Sequence, residues 1–93
     1  MFSDEQIKAI ILLKLHKRGN WEGSHTAFDN LKKGWKDTDL GKHGVKRVEK
    51  LTKELIRQGL ILSKPTHYGL QVSLNSRQNK AIIAFMRKFF PEV

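Results

Sequence analysis

The sequence predicts a single mostly helical α+β domain, and three observations carry that reading. Apolar residues recur at helical spacing in three stretches, centred near residues 11, 51 and 85. Between the last two lies a pair of short β-type runs joined by a connection that Pro65 and Gly69 punctuate. The chain has 93 residues, one domain's worth, and shows neither an internal repeat nor a low-complexity linker, so residues 1–93 are read as one unit.

The first helix spans residues 4–18. Ser3 with Gln6 three residues later forms a capping box, Phe2 and Ile7 flank it as a hydrophobic staple, and Asp4 and Glu5 suit the positive end of the helix dipole. Lys14, Lys17 and Arg18 suit the other end, and Gly19 stops it. Ile7, Ile10, Ile11, Leu12, Leu13 and Leu15 leave little polar surface, which makes this helix central. After the turn at Gly19–Gly23, Ser24 or Thr26 caps a short second helix carrying Ala27, Phe28 and Leu31 and ending at Lys33-Gly34. The stretch from Trp35 to Lys42 lacks periodicity and reads as a loop or a broken helical turn. Val45, Val48, Leu51, Leu55 and Ile56 then mark an amphipathic third helix from about His43 to Gln58. Leu60-Ile61-Leu62 and Gln71-Val72-Ser73-Leu74 make a hairpin with its loop between them. Asn75, followed by Gln78, caps a last helix over residues 76–90, with Ala81, Ile82, Phe85, Met86 and Phe89 as its buried stripe and Pro91 as its end.

Charge and composition narrow the function. Eighteen basic residues against nine acidic ones give a formal charge of +9, which favours a polyanionic partner. Ten basic and four acidic residues lie between Lys32 and Lys64, so two thirds of that charge sits in one third of the chain. With no cysteine, disulfides, thiolate metal sites and cysteine nucleophiles are excluded. The longest apolar run, Ile10–Leu13, is far short of the ~20 residues that a membrane span needs, and the acidic start lacks a basic signal-peptide region. The expectation is a soluble, cytoplasmic protein that meets no membrane. His16, His25, His43 and His67 lack the paired spacing of zinc ligands, and Ser24, His25 and Asp29 lie too close along one segment for a catalytic triad. No catalytic residue, metal or cofactor is expected, and the chain reads as a non-enzyme.

The segment Val45–Ile61, in which Leu55, Ile56, Gly59, Leu60 and Ile61 lead a helix straight into a strand, resembles the recognition helix and first wing strand of winged helix-turn-helix proteins. Tyr68–Leu74 is similar to their returning strand. The resemblance covers residues 4–75 and implies three helices, a β-hairpin wing and an added C-terminal helix. One departure is the Gly34–Lys42 stretch, longer than the tight turn of compact helix-turn-helix units.

What the resemblance implies is a sequence-specific double-stranded DNA-binding protein that regulates transcription. Lys42, His43, Lys46 and Arg47, at the start of the third helix, are then candidates to read bases, and Lys50 and Lys53 to touch phosphates. Lys64, Thr66, His67 and Tyr68 form the wing tip, which either touches DNA or has Tyr68 packed on its own hairpin and His67 merely exposed. Ser24, His25 and Thr26, at a helix start, offer free N–H groups to a phosphate, although capping explains Ser24 as well. Trp21 and Trp35 are expected at the core edge. The last helix, with the first, is expected to form a homodimer. The alternative is a winged-helix adaptor for structured RNA or a protein partner.

Overall fold

A computed structural model describes residues 1–93. It shows an α+β, mostly helical fold: four α-helices around a three-stranded antiparallel sheet. Helix α1 (Asp4–Lys17) runs through the centre. Strand β1 (Thr26–Ala27) follows, then a 3-10 turn (Phe28–Lys32), the short α2 (Asp37–Leu40) and a second 3-10 turn (Gly41–His43). Helix α3 (Val45–Arg57), strands β2 (Ile61–Thr66) and β3 (Gly69–Leu74), and a third 3-10 turn (Ser76–Gln78) lead into α4 (Asn79–Arg87).

The start of α1 is built as its sequence requires. Ser3 Oγ accepts from the Gln6 N–H at 3.1 Å, and Gln6 Oε1 accepts from the Ser3 N–H at 2.8 Å. Ile7, Ala9, Ile11, Leu12 and Leu15 are all fully buried, so α1 is apolar nearly all round and serves as the core's axis. Val48, Leu51 and Leu55 of α3 pack on it from one side, and Ile82 and Met86 of α4 complete the core with Ile61, Val72 and Leu74 of the sheet. Trp21 and Trp35 are half-buried against that core, as expected.

Four local expectations need correction. The second helix is not an α-helix at Ala27–Lys33. Thr26 and Ala27 are drawn out as a strand because β3, the middle strand, has a free edge there: Thr26 pairs with Val72 and Ala27 with Gln71. Only the five-residue 3-10 turn remains, and the α-helical turn falls later, where the Asp39 carboxylate accepts from the Lys36 N–H at 2.9 Å. The hairpin is longer than expected, with paired strands reaching Thr66 and Gly69 and only His67-Tyr68 between them. Pro65 lies inside β2, tolerated because β2 is an edge strand. Val45 is 41% exposed rather than core, since no element covers the first turn of α3 on that side; Thr52 is buried instead, its Oγ1 donating to the Val48 carbonyl at 2.8 Å. Ala81 is likewise exposed, and α4 proper ends at Arg87.

The bend between α2 and α3 needs two glycines. Gly41 (φ +75°) lies beneath the Met1 side chain, where a Cβ would collide with the sulfur, and Gly44 (φ +52°) turns the chain into α3. No helix is long and apolar enough to cross a membrane.

Candidate nucleic-acid interface

On α3, Lys46, Lys50, Lys53 and Arg57 follow one another at spacings of four, three and four. At 3.6 residues per turn they fall within about 60° of the helix circumference, opposite Val48, Leu51 and Leu55. All four are exposed. Arg57 belongs to this stripe with the same standing as the lysines; the spacing alone identifies it, although the strongest base-reading expectation fell on the N-terminal end.

The two acids of α3 do not neutralise the stripe. Glu49 pairs with Lys32 at 3.0 Å, and Glu54 approaches Lys8 of α1 at 3.6 Å. Both therefore point sideways, into neighbouring elements. Lys32 also meets Asp29 at 3.1 Å, and its bonds to Glu49 and then Asp29 raise its pKa. It braces α3 and is removed from the free positive surface. The remaining cations form an uncompensated strip along a helix about 20 Å long, a size and charge suited to the major groove of B-DNA.

Arg47 does not lie on that strip. Its Nε and Nη2 donate to Asp4 Oδ1 at 3.0 and 2.7 Å, and its Nη1 donates to the Leu40 carbonyl at 3.3 Å. The side chain is only 15% exposed. At about 100° per residue it sits on the flank beside the buried face, where the N-terminus of α1 offers a carboxylate. Arg47, a candidate base reader in the sequence, instead ties α3 to α1 and α2 in this structure. Asp4, His43, Lys46, Arg47, Lys50 and Leu51 together line a hollow of about 390 Å³ beside the strip. Lys42 and His43, in the 3-10 turn before α3, are both exposed.

At the hairpin tip, Thr66 Oγ1 donates to the Gly69 carbonyl at 2.7 Å and accepts from the Tyr68 N–H at 3.2 Å. These bonds stiffen a two-residue turn, and they occupy the Thr66 hydroxyl. Tyr68 is 95% exposed, so it does not pack on its own hairpin. His67 and Lys64 are exposed beside it.

Ser24, His25 and Thr26 do not start a helix, which removes the free N–H groups expected there. Ser24 accepts from Asn20 Nδ2 through its carbonyl at 3.1 Å, and Thr26 Oγ1 accepts from Asn30 Nδ2 at 2.8 Å. They belong to a strand and the turn before it, apart from the α3 strip. No three histidine or acidic side chains gather as a metal site would require.

Comparison with protein families, with curated proteins and with solved structures finds no match to this chain.

Proposed function

We propose that the protein binds duplex DNA, with α3 in the major groove and the β2–β3 hairpin against the flanking backbone, in the manner of a winged helix. The observation that carries this is the single exposed arc of Lys46, Lys50, Lys53 and Arg57, whose neighbouring acids are both held in ion pairs with other elements. A side-chain strip of this kind supplies the phosphate neutralisation that dominates protein–DNA affinity. Tyr68 and Lys64, exposed on a hairpin with a stiffened tip, would extend the contact beyond the groove. Such a role belongs in the cytoplasm, and its regulatory form is a transcriptional regulator that selects a site.

A second reading, sequence-indifferent binding, is favoured by one specific observation. Arg47, the planar donor best suited to bidentate guanine recognition near the start of α3, is committed to Asp4 and Leu40. The arc then offers mainly lysine point charges, which position a protein without reading sequence. Incubating the protein with random pools of duplex DNA and of structured RNA, then sequencing what is retained, separates these outcomes. Retention of DNA with an enriched motif supports the regulator, and retention without one supports sequence-indifferent binding. Preference for the RNA pool overturns the proposal.

The homodimer proposal rests on the hollow between α1 and the C-terminal segment, lined by Phe2, Gln6, Ile10, Leu13, Phe89 and Phe90. Ile82 and Met86 are consumed by the chain's own core, so less of α4 is left for a partner than its composition suggests. Sedimentation equilibrium gives a species near twice 10.8 kDa if two copies pair there, and a 10.8 kDa species removes the dimer.

A further inference from the structure

The outward arc of α4 consists of Lys80, Ala81, Ala84, Arg87 and Lys88, all exposed, and Arg77 stands in the turn just before it. No acidic residue occurs between Glu54 and Glu92, a stretch that holds six basic ones. A face that only keeps a helix soluble ordinarily mixes signs, because opposite charges three or four residues apart stabilise the helix. This face has none of those pairs. Lys80 and Lys88 make no ion pair. Arg87 Nε donates to the Val93 carbonyl, and Lys88 Nζ lies 5.5 Å from the centre of the Phe85 ring. Glu22 lies beside Arg77 at the edge of the arc, and Glu92 lines a hollow with His16 and Lys17 of α1.

This arc and the α3 strip lie on different sides of α1. Asp4 and Lys8 of α1 meet Arg47 and Glu54 of α3. Gln6, Ile10 and Leu13, which line one hollow with Phe89 and Phe90 beyond the end of α4, are about 180° further round the α1 axis. The two basic helices thus flank a central apolar one, each with its cations turned away from it.

We infer that the arc of α4 is a second phosphate-binding surface, so that one chain holds two separate duplex segments, one on α3 and one on α4. The inference rests on the duplex-binding reading of α3. Charge complementarity selects the occupant: an all-cation arc repels a second copy of itself across a two-fold axis but attracts a phosphate backbone. The two alanines let that backbone approach the helix closely. Size permits both occupants as well. The molecule measures 34 × 33 × 21 Å, and at physiological salt charges are screened over about 8 Å, so duplexes on opposite sides barely repel each other.

The test is a capture assay at physiological salt: one duplex on beads, a second in solution carrying a fluorophore, and the full chain between them. Wild-type protein is expected to retain the labelled duplex. The K80A/K88A variant is expected to lose at least tenfold of that capture while its affinity for a single duplex changes less than threefold. Both residues are exposed, so the fold is not at risk, and an unchanged melting curve verifies it. Single-duplex binding with no wild-type capture overturns the inference and leaves the α3 reading standing. The assay is read at a protein concentration where sedimentation gives the 10.8 kDa species, so that the two α3 strips of a dimer do not supply the capture, and capture that persists in K80A/K88A there overturns the inference. Failure to bind any duplex sinks the reading beneath both.

Discussion

Helices α3 and α4 present the same chemistry to solvent and are held in place by different means. Each buries an aliphatic stripe against the core and turns cations outward. Helix α3 is also cross-linked by polar contacts along its length: Arg47 to Asp4 and Leu40, Glu49 to Lys32, Glu54 to Lys8. Helix α4 has polar brackets at its two ends, where Glu22 holds Ser76, Asn75 Nδ2 donates to the Gly59 carbonyl and Arg87 Nε donates to the Val93 carbonyl, and between them it rests on Ile82 and Met86. Apolar docking fixes that a helix lies on a core. Directional contacts fix how it is rotated and where it points, which matters for a helix that must enter a groove in register. A surface that meets only phosphates has no such need, and α4 carries no such restraint between its ends.

The largest effect comes from stripping the α3 arc. Replacing Lys46, Lys50 and Lys53 together with alanine is expected to lower duplex affinity by on the order of 10²-fold near physiological salt, each lysine accounting for about one phosphate contact. The slope of log K against log salt is expected to become shallower by about three. Alanine is a good helix former and all three positions are exposed, so the melting temperature is expected to hold. The matching loss in Lys80, Arg87 and Lys88 leaves single-duplex affinity nearly unchanged if α3 dominates. Equal losses from the two triple variants abolish the distinction between a groove helix and a backbone helix.

A smaller effect isolates the cross-linking. Arg47→Ala and Asp4→Ala are each expected to destabilise the fold by about 1 kcal/mol, discounted because Asp4 is 59% exposed. The double variant is expected to cost less than the two combined, with a coupling of roughly 0.5–1 kcal/mol in urea unfolding. Any sequence preference is expected to survive Arg47→Ala once binding is corrected for folded fraction. A preference that vanishes with Arg47 while Asp4→Ala preserves it returns the side chain to base reading.

The ease with which these elements could be read from sequence follows their physics. Helix α1, the α3 stripe and the position of the hairpin depend on neighbours along the chain, through caps, period and turn residues, and they stand where the sequence puts them. Strand β1 does not, because Thr26 is extended only by pairing with Val72, 46 residues away. The tie of Arg47 is non-local in the same way. Helical spacing places it on a flank, but its fate is decided by Asp4, which lies 43 residues earlier. Val45 fits the apolar period and is exposed because no element happens to cover it. Charge patterning along the chain marks both the α3 arc and the acid-free interval after Glu54.

The smallest effect concerns the bracket on α4. Glu22 sits at φ +49° and accepts from the Ser76 N–H at 3.1 Å and from the Ser76 hydroxyl. The hydroxyl bond, followed by the backbone bond and the nearby Arg77 charge, outweighs partial desolvation and holds the Glu22 pKa below its ordinary value. A carboxyl whose pKa is lower folded than unfolded contributes stability above its unfolded value and loses it as pH falls through the folded one. Glu22→Gln keeps an acceptor oxygen and removes the charge. The variant is expected to melt slightly below wild type at neutral pH, and the gap is expected to close as pH drops through and below the ordinary carboxylate range. Amide exchange in residues 76–80 is expected to quicken in the variant while α3 stays protected, since nothing in the α3 cross-links touches Glu22. A melting gap that stays constant from neutral to acid pH means that the charge does not hold the bracket. Exchange that quickens in α3 as well means that the two helices are not held independently.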